Sequence, residues 1–164
     1  MSEGRVEQLW RKRVRLGPMD PVPRARLVTG EGIEEDANRG RSRRQVTLIE
    51  AEVFDRIREA LPAAEPAMRR ANVMLRGVRL AESRGRTLQV GAVRLLVQGE
   101  TRPCERMDEQ CPGLRDALRP GWAGGVYATV LEGGEISVGD PVRWEDDAAQ
   151  PPTTSASAST ASRS

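Results

Sequence analysis

The sequence predicts a mainly β protein: a β-barrel of short antiparallel strands with a few inserted short helices. At least seven short segments have strand character, most of them in the second half of the chain. Glycine-containing turns separate several of them, as at Gly91-Ala92. Helical patterns occupy only short stretches, near residues 50–61 and 112–118. Many short strands with few helices and no internal repeat favour a closed barrel.

The first part of the chain is expected to hold two strands around a rigid turn. They cover residues 6–16 and 25–28, and three prolines between residues 18 and 23 interrupt the pattern. A polar loop with glycines and charges of both signs follows from Gly30 to Arg44. A loop of this length in a compact domain is usually functional.

The clearest single element is a helix over about residues 50–61. Apolar side chains recur at helical spacing from Val53 to Leu61. Thr47 and Glu50 have the spacing of a capping box, which would place the start of the helix between them.

The rest of the chain predicts strands joined by tight turns. The segments are a strand and turn at 72–78, two strands across 87–97, helical turns at 112–118, a strand at 124–131, a hairpin turn at 132–135, and closing strands at 136–138 and 141–144. Because Gly124 and Gly125 open one of these strands, we expect a close backbone approach or a tight turn there, where a side chain would be harmful.

Composition excludes several classes of function. Lys+Arg 26 against Asp+Glu 24 gives a formal charge of +2, and the chain has 3 Trp, 1 Tyr and 1 Phe. Without a strong positive field or a stacking platform, no nucleic-acid partner is expected. The basic residues are arginines apart from Lys12, so the chain has many groups that can bind an anion.

The chemistry available to the chain is limited by 2 cysteines, Cys104 and Cys111, and 0 histidines. A tetrahedral Cys/His zinc site cannot be built, and Ser-His or Cys-His catalysis is excluded within one chain. No segment resembles a signal peptide or has the length of a membrane span, so we expect a soluble cytoplasmic protein that does not contact a membrane.

One domain is expected, with three parts. Residues 1–4 form a frayed N-terminus, residues 5–145 the barrel domain, and residues 146–164 a disordered tail rich in Pro, Ser, Thr and Ala. Residues 151–162 have no apolar side chain larger than alanine, so they cannot offset the entropy lost on ordering.

Cys104 has the local surroundings of a reactive thiol. It follows a strand-like segment and lies between Arg102 and Arg106, whose charges would lower its pKa, whereas Glu105 would raise it. On local grounds alone a buried structural cysteine stays an alternative. Cys111 is compatible with a small core cysteine or with a thiol that resolves an oxidised Cys104.

A series of motifs resembles the MOSC domain, the C-terminal module of molybdenum cofactor sulfurases, which also occurs as a small standalone protein. The series covers nearly the whole predicted domain. Its members are Gly32-Ile33 with Asp36 and Gly40, the segment 44–49, Asn72, the segment 77–80, Gly91, the segment 99–104, the segment 112–114, the segment 124–131 and the segment 139–142.

This resemblance implies a barrel with a ligand pocket near the cysteine loop. Cys104 occupies the position of the family cysteine, which is proposed to carry sulfur as a persulfide or to coordinate the molybdenum of a pyranopterin cofactor. The positions that match cofactor contacts are Asp36, Arg44, Asn72, Thr101 and Arg102. Many members have a histidine two residues after the loop aspartate, where this chain has Asn38, which cannot shuttle a proton.

Three functions are compatible with the resemblance. The first is cofactor binding or sulfur transfer through Cys104, with a cysteine desulfurase (a pyridoxal phosphate enzyme) as sulfur donor. The second is a molybdenum-dependent reductase of N-hydroxylated compounds, with a redox partner as electron donor because the chain has too few cysteines for an iron-sulfur cluster. The third is a binding module that keeps the barrel without catalysis, which Asn38 favours.

Overall fold

The computed structural model describes residues 4–12, 14, 17–37, 39–40, 43–103 and 106–145, with the side chains of Arg106 and Gln110 excepted. The strands of this part are β1 (Gly4–Arg11), β2 (Asp20–Val22), β3 (Arg24–Val28), β4 (Gly32–Ile33), β5 (Val46–Glu50), β6 (Val73–Arg76), β7 (Thr87–Val90), β8 (Val93–Glu100), β9 (Val126–Glu132), β10 (Gly134–Ser137) and β11 (Pro141–Trp144). The helices are α1 (Ala51–Ala60), α2 (Arg106–Gln110) and α3 (Leu114–Ala117), with 3₁₀ turns at Pro66–Arg69 and Pro120–Trp122.

The expected tail, 146–164, lies outside the described residues. None of the described helices is long and apolar enough to cross a membrane.

Seven of the described strands close into a barrel, which confirms the predicted fold class. Their order is β11-β7-β8-β9-β5-β6-β1, and β1 pairs again with β11 to complete the ring. Gly4 lies opposite Val142 in that closing pair. The far end of β1 pairs with β2, an edge strand that accommodates Pro21 because its missing N–H faces no partner strand.

The barrel is mixed, since one strand pair is parallel. Leu48 of β5 lies opposite Val73 of β6 in a parallel ladder. Parallel neighbours need a long crossover connection, and α1 with the following 3₁₀ turn provides it.

The hairpin predicted at residues 132–135 is wrong, because the strands on either side of this turn do not pair with each other. A single residue, Gly133, separates β9 from β10, yet β10 pairs with β3, in a three-stranded sheet of order β10-β3-β4. Gly133 makes this change of sheet possible: its N–H donates to Thr29 Oγ1 at 2.9 Å, and a Cβ there would overlap with the carbonyl oxygen of Leu27.

Two hydrophobic cores lie on opposite faces of β5 and β6. Leu48 and Leu75 point into the barrel core, whereas Ile49 and Met74 join an outer core covered by the helices. Alternation along a strand produces this division, because successive side chains point to opposite faces. The apolar face of α1, namely Val53, Phe54 and Ile57, belongs to the outer core, which confirms the predicted helix.

Trp144 lies in the barrel core, Trp10 in the outer core, and Trp122 packs against the barrel core.

The predicted capping box of α1 is wrong. Glu50 is the N-cap residue but makes no side-chain cap hydrogen bond, and Thr47 lies within β5. The carboxylates instead hold the loop after β6: Glu50 Oε2 accepts from the Leu80 N–H at 2.9 Å, and Glu52 Oε2 accepts from the Gly77 N–H at 2.7 Å. Burial is the main reason why the pKa of Glu50 lies above its usual value.

Replacement of Glu50 by glutamine is expected to stabilise the protein at neutral pH. The pKa of the Glu50 carboxyl is raised on folding from its usual value of 4.5. Its contribution to the free energy of unfolding is therefore complete below pH 4.5 and is lost as the pH rises through the raised pKa. The amide oxygen of the new side chain keeps the acceptor for Leu80, and the charge is removed. The melting temperature of Glu50→Gln should therefore exceed that of the wild type near pH 7.5, and the difference should vanish near pH 4.

Glu59→Gln is the matched control, since Glu59 is an exposed carboxylate on the same helix. An equal rise in melting temperature at both pH values for Glu50→Gln would contradict the explanation.

The start of β9 approaches other backbone segments closely. A Cβ at Gly124 would overlap with the carbonyl oxygen of Thr101, and a Cβ at Gly125, whose φ is +93°, with that of Leu48. The expected close approach is therefore an approach to the protein's own backbone, and it connects β9 with β5 and with the segment after β8.

Gly125→Ala is expected to destabilise the protein more than Gly139→Ala does. Gly139 has a similar φ, +97°, but a Cβ there meets nothing within 4 Å. The left-handed backbone should cost each variant about 1–2 kcal/mol, and the overlap with Leu48 should add about 1–3 kcal/mol. Urea unfolding of both variants measures the difference. Equal losses of stability would show that the contact with Leu48 is unimportant.

Candidate functional site

A buried polar cluster joins the long loop to the barrel. Asp36 Oδ1 accepts from the Asn72 Nδ2 amide at 3.1 Å and from the Lys12 backbone N–H at 2.7 Å. Asn72 Nδ2 also donates to the carbonyl oxygen of Trp10 at 3.3 Å, and its Oδ1 accepts from the N–H and the hydroxyl of Thr47, each at 3.1 Å. These bonds occupy both amide protons of Asn72 and its oxygen. The structure thus brings together two of the predicted site residues, Asp36 and Asn72.

Thr101 fixes the segment that follows β8. The residue is buried, its N–H donates to the Gly125 carbonyl at 2.9 Å, and its hydroxyl donates to the Gly124 carbonyl at 2.5 Å. Arg69 Nε donates to the same Gly124 oxygen at 2.9 Å. The base of the segment that leads to Arg102 is therefore held by backbone and side-chain hydrogen bonds.

Arg102 lines a cavity of about 480 Å³ with an excess of positive charge. In the described part of the chain, its lining residues are Glu100, Arg102, Pro103, Arg115 and Arg119. Arg119 lies 3.7 Å from Asp116 in an exposed pair, which is a weak interaction. Within the described part of the chain, Arg102 and Arg115 have no ion-pair partner, and the buried Nε of Arg115 has no hydrogen-bond acceptor. We call this the arginine cavity.

Arg44 lies outside the lining of the arginine cavity. It is exposed, and its guanidinium carbon is 5.2 Å from the centre of the Tyr127 ring. Tyr127 pairs with Gly99 of β8, so the ring that Arg44 covers belongs to a residue beside the strand that ends at the cavity residue Glu100.

The central residue of the sequence prediction, Cys104, lies outside the described residues, as do Glu105, Asn38 and the side chain of Arg106. Its role stays a prediction. In the chain it directly follows Pro103, which lines the arginine cavity. Cys111 is a buried free thiol in the outer core, as the core interpretation expected. The described residues hold no cluster of three or more side chains suited to a metal.

Sequence reasoning missed Arg115 and Arg119. Arg115 lies within the predicted helical segment 112–118 and Arg119 directly follows it, and residues four apart share one face of a helix. That spacing was the available signal. Leu114 and Leu118 have the same spacing and are fully buried. The sequence did not show that the arginine face would lie against the segment 100–103.

Fold and site together describe a β-barrel with an arginine-lined cavity whose lining includes Pro103, the residue directly before Cys104 in the chain. The family model of the MOSC domain matches residues 35–143. The chain belongs to the MOSC domain family, which confirms the resemblance seen in the sequence.

Solved structures share this fold. The YuaD protein of Bacillus subtilis aligns with a TM-score of 0.75 at 20% identity, over 86% of this chain and 94% of that one. YiiM of Geobacillus stearothermophilus aligns with a TM-score of 0.67 at 18% identity, over 86% and 74%. YiiM of Escherichia coli aligns with a TM-score of 0.65 at 16% identity, over 85% and 69%. No curated protein matches the chain in sequence.

Asn72→Asp is expected to destabilise the protein strongly. The change removes the amide donor to Asp36 and Trp10 and places two carboxylates side by side in a buried site, at a cost of about 3–5 kcal/mol. Urea unfolding at neutral pH measures the loss.

The same change made together with Asp36→Asn provides the matched control. In the double variant the amide at position 36 can donate to the carboxylate at position 72, so part of the lost stability should be recovered. If Asn72→Asp lowers the free energy of unfolding by the same amount with and without the Asp36→Asn change, the side chains at positions 36 and 72 do not interact as described.

Proposed function

We propose that this MOSC protein binds a molybdenum cofactor, or carries activated sulfur, at Cys104, and that the arginine cavity binds the anionic part of the ligand. One observation carries the proposal: among the described residues, three guanidinium groups line a cavity together with Pro103, the residue directly before the cysteine. The family membership of the chain supports the choice of ligand.

The donor set of the arginine cavity fits the phosphate of a pyranopterin cofactor. Among the described lining residues, Arg102, Arg115 and Arg119 outnumber the one carboxylate, that of Glu100. A bound anion would reduce the repulsion among these like charges. Guanidinium groups also match phosphate oxygens in geometry, since they can donate two parallel hydrogen bonds.

The residues of this chain would have distinct roles. Arg102, Arg115 and Arg119 would hold the phosphate, and their positive charge would favour the thiolate form of a cysteine beside them. Thr101 would keep the segment in place through Gly124. When bound, the cofactor supplies redox chemistry at molybdenum, for which a thiolate is a suitable soft ligand.

Asp36, Asn72 and Arg44 would act around the cavity. Because the amide of Asn72 is fully engaged inside the protein, Asp36 and Asn72 would serve the site by fixing the long loop to β1, β5 and β6. Arg44 would offer a second anion contact at the end of β8, through its position on Tyr127.

Sulfur transfer would need a donor protein. A cysteine desulfurase carrying a persulfide fits this requirement: the Cys104 thiolate attacks the outer sulfur, a new S–S bond forms on Cys104, and the donor leaves as a thiolate. For redox chemistry the partner would instead be an electron donor.

Cys104→Ala is expected to abolish the bound molybdenum or the labile sulfur of the protein. Both are measured after purification from a host that makes the cofactor, by metal analysis and by release of sulfur with cyanide. Arg102→Gln with Arg115→Gln should lower the amount of bound cofactor at least about tenfold, since charge-assisted hydrogen bonds to the phosphate are lost.

Arg84→Gln is the control for the arginine variants, because Arg84 is exposed and does not line the cavity. Molybdenum and labile sulfur that both stay unchanged in Cys104→Ala would overturn the proposal.

A further inference from the structure

A second cavity, of about 470 Å³, lies where α1 meets the loop after β6. None of its described lining residues also lines the arginine cavity. Its charged lining residues are Glu50 and Glu52 at the start of α1, Arg56 one turn further, and Arg79 in the loop. Its volume is in the range of about 300–1,000 Å³ that small-molecule sites have.

The charges of opposite sign in this cavity act on one another without direct pairing. Arg56 and Arg79 lower the pKa of Glu50, so they lie within electrostatic reach of its carboxylate. Yet no ion pair within 4.0 Å joins either arginine to Glu50 or Glu52 in the described part of the chain. Both signs of charge are thus available to a ligand.

The two carboxylates are also incompletely neutralised. Glu52 Oε1 is buried and accepts no hydrogen bond from the described residues, although Oε2 is held by Gly77. Burial disfavours the ionised form of Glu50, and its repulsion by Glu52 adds to that effect. A cationic group placed beside both carboxylates would relieve both costs.

The rest of the lining limits the size and polarity of the ligand. Val53, Val78 and Ala81 contribute an apolar wall, and Gly77 and Gly121 contribute no side chain. A short apolar group fits against such a wall, between the two sets of charges.

We propose that this cavity binds a small zwitterion, an α-amino acid with a short apolar side chain. The ammonium group lies beside Glu50 and Glu52, after a small rotation of the Glu52 carboxylate. The carboxylate of the ligand lies on Arg56 and Arg79, and its side chain packs against the valines. The site does not depend on the arginine cavity or on Cys104, so it stands or falls separately from the function proposed above.

The test is an NMR titration of the ¹⁵N-labelled full chain with L-valine. The amide signals of Gly77, Arg79 and Ala81 should shift in a saturable way. Isobutylamine lacks the carboxylate of valine and isovalerate lacks its ammonium group, so each should bind at least about tenfold more weakly.

Glu50→Gln and Arg79→Gln should each weaken L-valine binding at least about tenfold. Arg58→Gln, an exposed arginine on the same helix outside the lining, should leave it unchanged. The absence of saturable shifts would overturn the proposal. Equal affinity of the wild type for valine and isobutylamine would overturn it too, and so would equal affinity of the Arg79→Gln and Arg58→Gln proteins for valine. The ligand comparison uses the wild-type chain, so it holds even where a variant folds poorly.

Discussion

The buried amide of Asn72 is the interaction on which the arrangement of this barrel depends. It bonds to the backbone of β1 and β5 and to the carboxylate of Asp36 in the long loop. Buried polar groups are almost always hydrogen-bonded. A shift of any of these segments would therefore leave a buried polar group without its hydrogen bond. The parallel pair β5–β6 begins beside this amide. One side chain thus couples the register of the barrel to the position of a loop that the sequence predicted to be functional.

The helices outside the barrel create the cavities. Alternation in β5 and β6 supplies one apolar face to the barrel core and another to the helical layer. Leu114 and Leu118 anchor α3 in that layer, and the next residues in each case, Arg115 and Arg119, line the arginine cavity. Burial of the apolar face of this helical turn therefore fixes the positions of the two arginines that follow the leucines.

The two cavities differ in electrostatics although both border the helical layer. The described lining of the arginine cavity has an excess of guanidinium groups, whereas that of the cavity at α1 combines two carboxylates with two arginines. In the second cavity the carboxylates also accept hydrogen bonds from the loop after β6. The same groups therefore maintain the wall of the cavity and determine its charge.

The sequence by itself determined the barrel class, helix α1 and the hairpin at Gly91, because alternation, helical spacing and turn residues record which face of each element is apolar. The order of its motifs along the chain indicated the family. Its lack of histidine excluded imidazole chemistry. Tertiary structure decided which segments meet: β10 pairs with β3, and Thr47 bonds to Asn72 instead of capping α1. It also brings Arg115 of α3, and Arg119 just after α3, to the cavity that Arg102 lines. Local patterns cannot encode these contacts, since each depends on the packing of segments that are far apart in the chain.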